Sequence, residues 1–203
     1  MIRYSFLLFF LSALGYGQSQ EINRNYIDSV ISIAKKEKDL TAKKDIVDGL
    51  WLKIIKLPPN TSLQHFYYID SANAGRKDIL VFSYFHAAPI LVNNGQIAAS
   101  KTLRYKGLAM AEALNIPEAR HDFYHSLSSF YINTSIADSA TYYANEAEKV
   151  VQQYPDKLNS LLWQVYHRKG DIQFLLGDKE KQSFWYEKAW AELLKYPKHR
   201  ARG

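Results

Sequence analysis

The sequence predicts an all-α chain, an α-solenoid of antiparallel helix pairs with about nine helices after an N-terminal signal peptide. Three observations lead there. Apolar residues recur at helical three- and four-residue steps along most of the 203 residues. Only six prolines and nine glycines interrupt them, among abundant Ala, Leu, Lys and Glu. A helix, turn, helix, proline pattern returns after 42 residues.

The N-terminus reads as an export signal. Arg3 supplies one positive charge, residues 5–14 form an apolar run, and Gly15-Tyr16-Gly17-Gln18 offers small residues for cleavage before Gln18. A ten-residue run is half of the roughly twenty needed to span a bilayer. Residues 1–17 are therefore assigned as a signal peptide and the mature chain as periplasmic or secreted. No cysteine follows the run, which excludes lipid anchoring through one. The total absence of cysteine also excludes disulfides, thiolate metal sites and a cysteine nucleophile. No later segment approaches eighteen continuous apolar residues, so the mature chain is expected not to span a membrane.

Residues 18–76 hold three helices, read as a degenerate repeat or a cap. The first, 23–38, is marked by Tyr26, Ile27, Val30, Ile31 and Ile33; the second, 41–56, by Ile46, Val47, Leu50, Trp51, Ile54 and Ile55, until Leu57-Pro58-Pro59 ends it. Asn60-Thr61-Ser62 offers caps for a third, ending near Gly75. Residues 77–93 then read as one apolar helix kinked at Pro89, closed by the turn Asn93-Asn94-Gly95. Helix resumes over 97–114, and Ile116-Pro117-Glu118 restarts one with proline favourably in the first turn.

From Ala137 the stripe Ala137, Ala140, Ala144, Ala147 and Val151 is strongly helical, and Pro155 stops it. Leu158, Leu162, Val165, Ile172 and Leu176 mark the next helix. Gly177-Asp178 separates that from a last helix reaching about Lys195, and Pro197 closes the array before a basic tail, 198–203. Tyr143, Trp185, Tyr186 and Trp190 fall on packing stripes and are expected in the core.

The repeat is visible in paired positions. At an offset of 42, Tyr124 maps to Tyr166, His125 to His167, Tyr143 to Trp185, Ala147 to Ala189 and Pro155 to Pro197. An earlier unit aligns Tyr84, Gly95 and Gly107 with Tyr124, Ser135 and Ala147 at an offset of 40. Helix pairs with small residues at their crossing and a proline exit resemble the tetratricopeptide repeat over residues 77–197. Tyr124, Leu127, Tyr131, Ala140 and Pro155 carry the match in one unit; Tyr166, Gly170, Gly177-Asp178, Tyr186, Ala189 and Pro197 carry it in the next. Ser128 stands where the motif has glycine, and Lys169, Gln173 and Gln182 also depart from it.

The resemblance implies a concave groove lined by the first helix of each unit. Aligned on it, the groove-facing residues are Asp122, His125, Ser129 and Asn133 in one unit and Gln164, His167 and Asp171 in the next. They are expected to hold a protein or peptide partner. Family members that bind a chaperone's terminal carboxylate carry lysine, arginine and asparagine in such places. His125, Ser129 and Asp171 do not match, so that role is not carried over.

Catalytic chemistry finds no anchor. There is no Gly-x-Ser-x-Gly elbow and no glycine-rich phosphate loop. His121 and His125 share a helix face with Glu118 one turn earlier, but His-Glu-x-x-His is absent, so neither metal nor cofactor is expected. The formal charge of +6, or +5 without Arg3, is moderate, and its clusters Lys35-Lys36 and Lys43-Lys44 are short. With export, this argues against nucleic acid. The expected function is a non-catalytic exported scaffold, with the truncated ectodomain of a membrane-bound bacterial sensor as the alternative.

Overall fold

A computed structural model describes residues 22–196. The expected signal peptide, residues 1–17, together with Pro197 and the basic tail 198–203, lies outside the described residues. Within them the chain is an all-α solenoid of nine long helices: α1 (Arg24–Lys36), α2 (Leu40–Ile54), α3 (Pro59–Ala72), α4 (Lys77–Asn93), α5 (Ile97–Ala113), α6 (Pro117–Asn133), α7 (Ala137–Gln153), α8 (Leu162–Leu176) and α9 (Lys179–Leu194). A short helical turn, Pro155–Leu158, and a 3-10 turn, Asn159–Leu161, join α7 to α8.

Local chemistry sets most boundaries. Asn23, Asp39 and Asp178 cap α1, α2 and α9 by accepting from backbone N–H groups three residues on. The start of α3 differs from the expected cap: Pro58 precedes it with Pro59 in the first turn, and Asn60-Thr61-Ser62 lies inside the helix. Ser62 instead turns inward, donating from its hydroxyl to the Ile54 carbonyl at 2.7 Å. α4 continues as one helix through Pro89, an exposed position where the ring removes the hydrogen bond to the Phe85 carbonyl and crowds that carbonyl.

The turns obey a rule finer than the repeat. Left-handed residues stand at Gly75, Gly95, Asn115 and Ser135, with φ of 89°, 74°, 50° and 58°. They are 20 residues apart, and α4 to α7 each have 17 residues, so every helix plus its three-residue turn fills one half-unit. Behind the last three, the N–H groups of Gln96, Ile116 and Ile136 reach back to the carbonyls of Leu91, Ala111 and Tyr131 at 2.8, 3.0 and 2.9 Å, the 6→1 bond of a Schellman cap. The offset of 40 is two such half-units. The joint of Pro155–Leu158 and Asn159–Leu161 adds the residues that stretch the next offset to 42.

Tightly packed hairpins form between α4 and α5, α6 and α7, and α8 and α9, and the first helices α2, α4, α6 and α8 touch in succession. Two crossings use one device with its parts exchanged. The Ser100 hydroxyl donates to the Ala88 carbonyl at 2.5 Å, and the Ser128 hydroxyl donates to the Ala140 carbonyl at 2.8 Å. Ser100 and Ala140 are equivalent, as are Ala88 and Ser128. This explains Ser128 in place of glycine: it is small enough for close approach, and a partner satisfies its buried hydroxyl. In the third pair Gly170 holds that position, directly under the Tyr186 ring.

α4 lies at the centre of the stack, against α2, α3, α5 and α6, and is accordingly buried nearly all round, from Ile79 to Tyr84 and again at Ala87, Ala88, Ile90 and Leu91. One apolar core extends from Ile27 of α1 to Ile172 of α8, and a smaller cluster joins Ala147, Val150 and Val151 to Leu158 and Val165. The aromatic expectation needs correction at the far end. Trp190 is 53% exposed, because α9 is the last described helix and, among the described residues, no further helix stacks on it. Tyr143, Trp185 and Tyr186 are half-buried.

Candidate partner-binding groove

Successive packing of α2, α4, α6 and α8 leaves a hollow of about 490 Å³ on the side these first helices share. Ile55, Phe85, Pro89 and Ile90 make its apolar wall; His86, Arg104, His125, Ser129, Asn133 and Arg168 supply polar groups. Three predicted residues, His125, Ser129 and Asn133, stand in this wall at four-residue steps along α6. The other four lie outside it. Asp122 sits one turn earlier with a carboxylate oxygen 3.3 Å from His121 Nδ1, and Gln164 is half-buried in the first turn of α8. His167 is exposed, 3.4 Å from the Asp171 carboxylate. Asp171 is the anchor of the α8–α9 hairpin, accepting from Arg168 at 2.7 Å and from the Tyr186 hydroxyl at 2.8 Å.

His125 and His167 therefore hold equivalent places in sequence without sharing the cavity. It is Arg168, one residue on, that enters the wall of α8 and donates from Nη2 to His125 Nε2 at 3.2 Å. His125 is half-buried beside that guanidinium, and desolvation first, then the cationic neighbour, pushes its pKa down to about 3. A neutral ring that accepts on Nε2 carries its proton on Nδ1. The ring also stacks on His121, centroids 6.0 Å apart. His121 is fully buried, and no group of three His, Cys, Asp or Glu side chains suited to a metal occurs among the described residues.

A second polar chain meets the cavity from α2. Lys44 pairs with Asp48 at 2.5 Å, Asp48 takes a hydrogen bond from His86 Nε2 at 2.8 Å, and the His86 ring stacks on buried Trp51 with centroids 6.1 Å apart. Those hydrogen bonds, His86 first and Lys44 next, overcome burial and hold the Asp48 carboxyl below its ordinary range.

Arg104, His86 and Arg168 are not among the groove residues expected from the sequence. His86, Ser126 and Arg168 are repeat equivalents at offsets of 40 and 42, so reading the aligned row one position further would have found two of them. Arg104 had no such signal. It belongs to the second helix of its pair and reaches the groove only because α5 packs against α6. Another hollow, of about 360 Å³, lies among helix ends near Lys38, Lys44 and Lys157, where Asp39 and Glu118 offset the lysines. It contains none of the seven predicted residues.

Fold and groove define a class, an all-α solenoid of helix pairs with a polar hollow on its first-helix side. Compared with protein families, curated proteins and solved structures, the chain matches none. No helix among the described residues is long and apolar enough to cross a membrane.

Proposed function

We propose that the chain is an exported scaffold of tetratricopeptide type that binds a protein or peptide partner in its groove without catalysing a reaction. The observation that carries this reading is the 490 Å³ hollow into which α6 directs His125, Ser129 and Asn133. A wall half apolar and half hydrogen-bonding is the surface a peptide segment needs, since side chains and backbone both find partners there. The 20-residue half-unit supports a repeat architecture whose concave side is the working face. The layout of residues 1–17 supports export to the periplasm or beyond.

The test is cross-linking in native cells followed by mass spectrometry, comparing wild type with a variant carrying His125→Ala, Ser129→Ala and Asn133→Ala. A partner captured by wild type and lost from the variant supports the groove. Capture of the same partner by both proteins places binding elsewhere and sinks the reading.

A second reading is favoured by the apolar surface of the last pair, where Phe174, Phe184 and Leu194 are exposed. Such a face suits further helices stacked on α8 and α9, as in the ectodomain of a membrane-bound sensor. Reading the DNA that follows codon 203 decides it: further helical repeats or a membrane helix favour the sensor, and a stop codon rejects it.

A further inference from the structure

Arg104 is buried to 6% exposure, yet among the described residues no carboxylate lies within ion-pairing distance of it. Its Nε donates to the Ser126 hydroxyl at 2.9 Å, and Nη1 donates to the Ser100 carbonyl at 3.3 Å and to the Ser100 hydroxyl. The guanidinium also lies over the Phe130 ring, 5.2 Å from its centroid. All these partners are neutral. A buried guanidinium without a counter-ion is costly, and a leucine or methionine would fill the same space with less penalty. Burial lowers its pKa only to about 10, so it keeps its charge at neutral pH.

The other charges around the hollow cancel in pairs. Arg168 is matched by Asp171 at 2.7 Å and Lys44 by Asp48 at 2.5 Å. His125 is neutral beside Arg168. One uncompensated positive charge is left, in the wall of a cavity that Phe85, Pro89 and Ile90 also line.

The geometry points to Arg104 as the receptor of a monoanionic carboxylate carried on an apolar body, with Ser129 and Asn133 as neighbouring hydrogen-bond groups. This rests on the groove reading above and names the chemistry the groove selects. A single free charge favours a carboxylate over a dianionic phosphate, which would leave one negative charge unpaired in a partly desolvated site. A volume of about 490 Å³ falls within the range of small-molecule pockets, roughly 300–1,000 Å³. Two sources can present this chemistry: a glutamate or aspartate beside an apolar residue in a peptide, and a free organic acid.

The experiment is an NMR titration of the full chain, following the Arg104 side-chain Nε–H signal. Phenylacetate, phenylacetamide, inorganic phosphate and an end-blocked peptide with Phe-Glu at its centre are each added to about 10 mM, well into the weak-binding range. Phenylacetate should shift the Arg104 signal saturably, with phenylacetamide at least roughly tenfold weaker, as expected for loss of a charge-assisted bond. Competition by the Phe-Glu peptide, and none by its Phe-Gln version, would assign the carboxylate to a peptide; no competition would assign it to a free acid. Arg104→Gln should abolish the phenylacetate response while circular dichroism stays helical. If that variant does not fold, the comparison of acid with amide decides alone.

No Arg104 shift with phenylacetate, an equal shift with phenylacetamide, or a shift with phosphate alone each overturns the proposal. Failure here leaves the cross-linked partner of the groove test intact. Failure of the groove reading instead shows as the same partner captured by wild type and variant alike, while phenylacetate still shifts the Arg104 signal.

Discussion

Arg168 of α8 donates to the Nε2 of His125 on α6 at 3.2 Å, locking two first helices together through a ring that must stay neutral. Protonating His125 removes the acceptor and sets two cations side by side. The ordinary histidine pKa is 6.5 and the folded value is about 3. Below pH 6.5 the unfolded chain therefore takes up a proton that the folded chain refuses. Stability from this group is complete above pH 6.5 and falls as pH drops toward 3, by up to about 1.4 kcal/mol per pH unit. Half-buried His65, also shifted down by desolvation, acts in the same direction. Asp48 and Asp171, held below their ordinary value of 3.8, lose their contribution only at lower pH. His125→Gln, whose amide oxygen can still accept from Arg168, should flatten the decline between pH 6.5 and 4.5 in urea midpoints. An unchanged decline would show that His125 is not its source.

Gly107 of α5 has no room for a methyl group. An added Cβ would stand 2.1 Å from Cζ of Phe123, a ring 1% exposed on α6. One repeat later the same two places hold Ala147 and Val165, both in the smaller core cluster, so the small residue grows where the facing one shrinks. Gly107→Ala should destabilise by about 1–3 kcal/mol through overpacking. Adding Phe123→Val, which copies the later pair, should recover part of that loss. A double-mutant cycle by urea unfolding measures the coupling, and strictly additive effects would refute the match.

Ser135 and Asn115 hold left-handed turns with φ of 58° and 50°, in a series whose other members at 75 and 95 are glycine. Ser135→Gly should stabilise by about 0.5–1 kcal/mol, since glycine reaches this conformation without a Cβ clash. Asn115→Gly should gain less, because asparagine tolerates the left-handed region. Thermal unfolding of the two variants side by side tests the order.

Lys43, 5% exposed, pairs with Asp78 across α2 and α4, and Arg76 also reaches that carboxylate at 2.8 Å. The hydrogen bond from Arg76, followed by that from Lys43, keeps Asp78 well below the usual carboxylate range. Asp78→Asn should cost about 1–3 kcal/mol, because it strands a buried ammonium. Lys43→Met, which removes the buried charge itself, should cost less. Chemical denaturation at pH 7 of both variants tests the asymmetry, and the reverse order would contradict it.

Helix positions were legible from the sequence because their causes are local. Prolines at 58, 59, 117 and 155, glycines at 75, 95 and 177, and three- and four-residue apolar spacing act within one or two turns of chain. The repeat was legible for the same reason, since equivalent positions carry equivalent packing demands. Half-visible was the groove: alignment along α6 places His125, Ser129 and Asn133 in the wall, but the row on α8 enters one residue later, at Arg168 rather than His167. The repeat carries that position too, since Arg168 is the equivalent of Ser126 and His86, but only the packing shows that on α8 it is this row and not the one through His167 that faces the hollow.

The sequence by itself determined the helices, their turns and their pairing, since each follows from interactions between residues close in the chain. Only the tertiary structure decided that Arg104 would be buried without a counter-ion, that Arg168 would hold His125 neutral, and that Phe184 of the last described helix would be exposed. A side chain's charge partner and its exposure are set by neighbours that arrive through space. Ser126 is 22 residues from Arg104 and Arg168 is 43 from His125, distances along the chain that only the packing of helix on helix brings to contact.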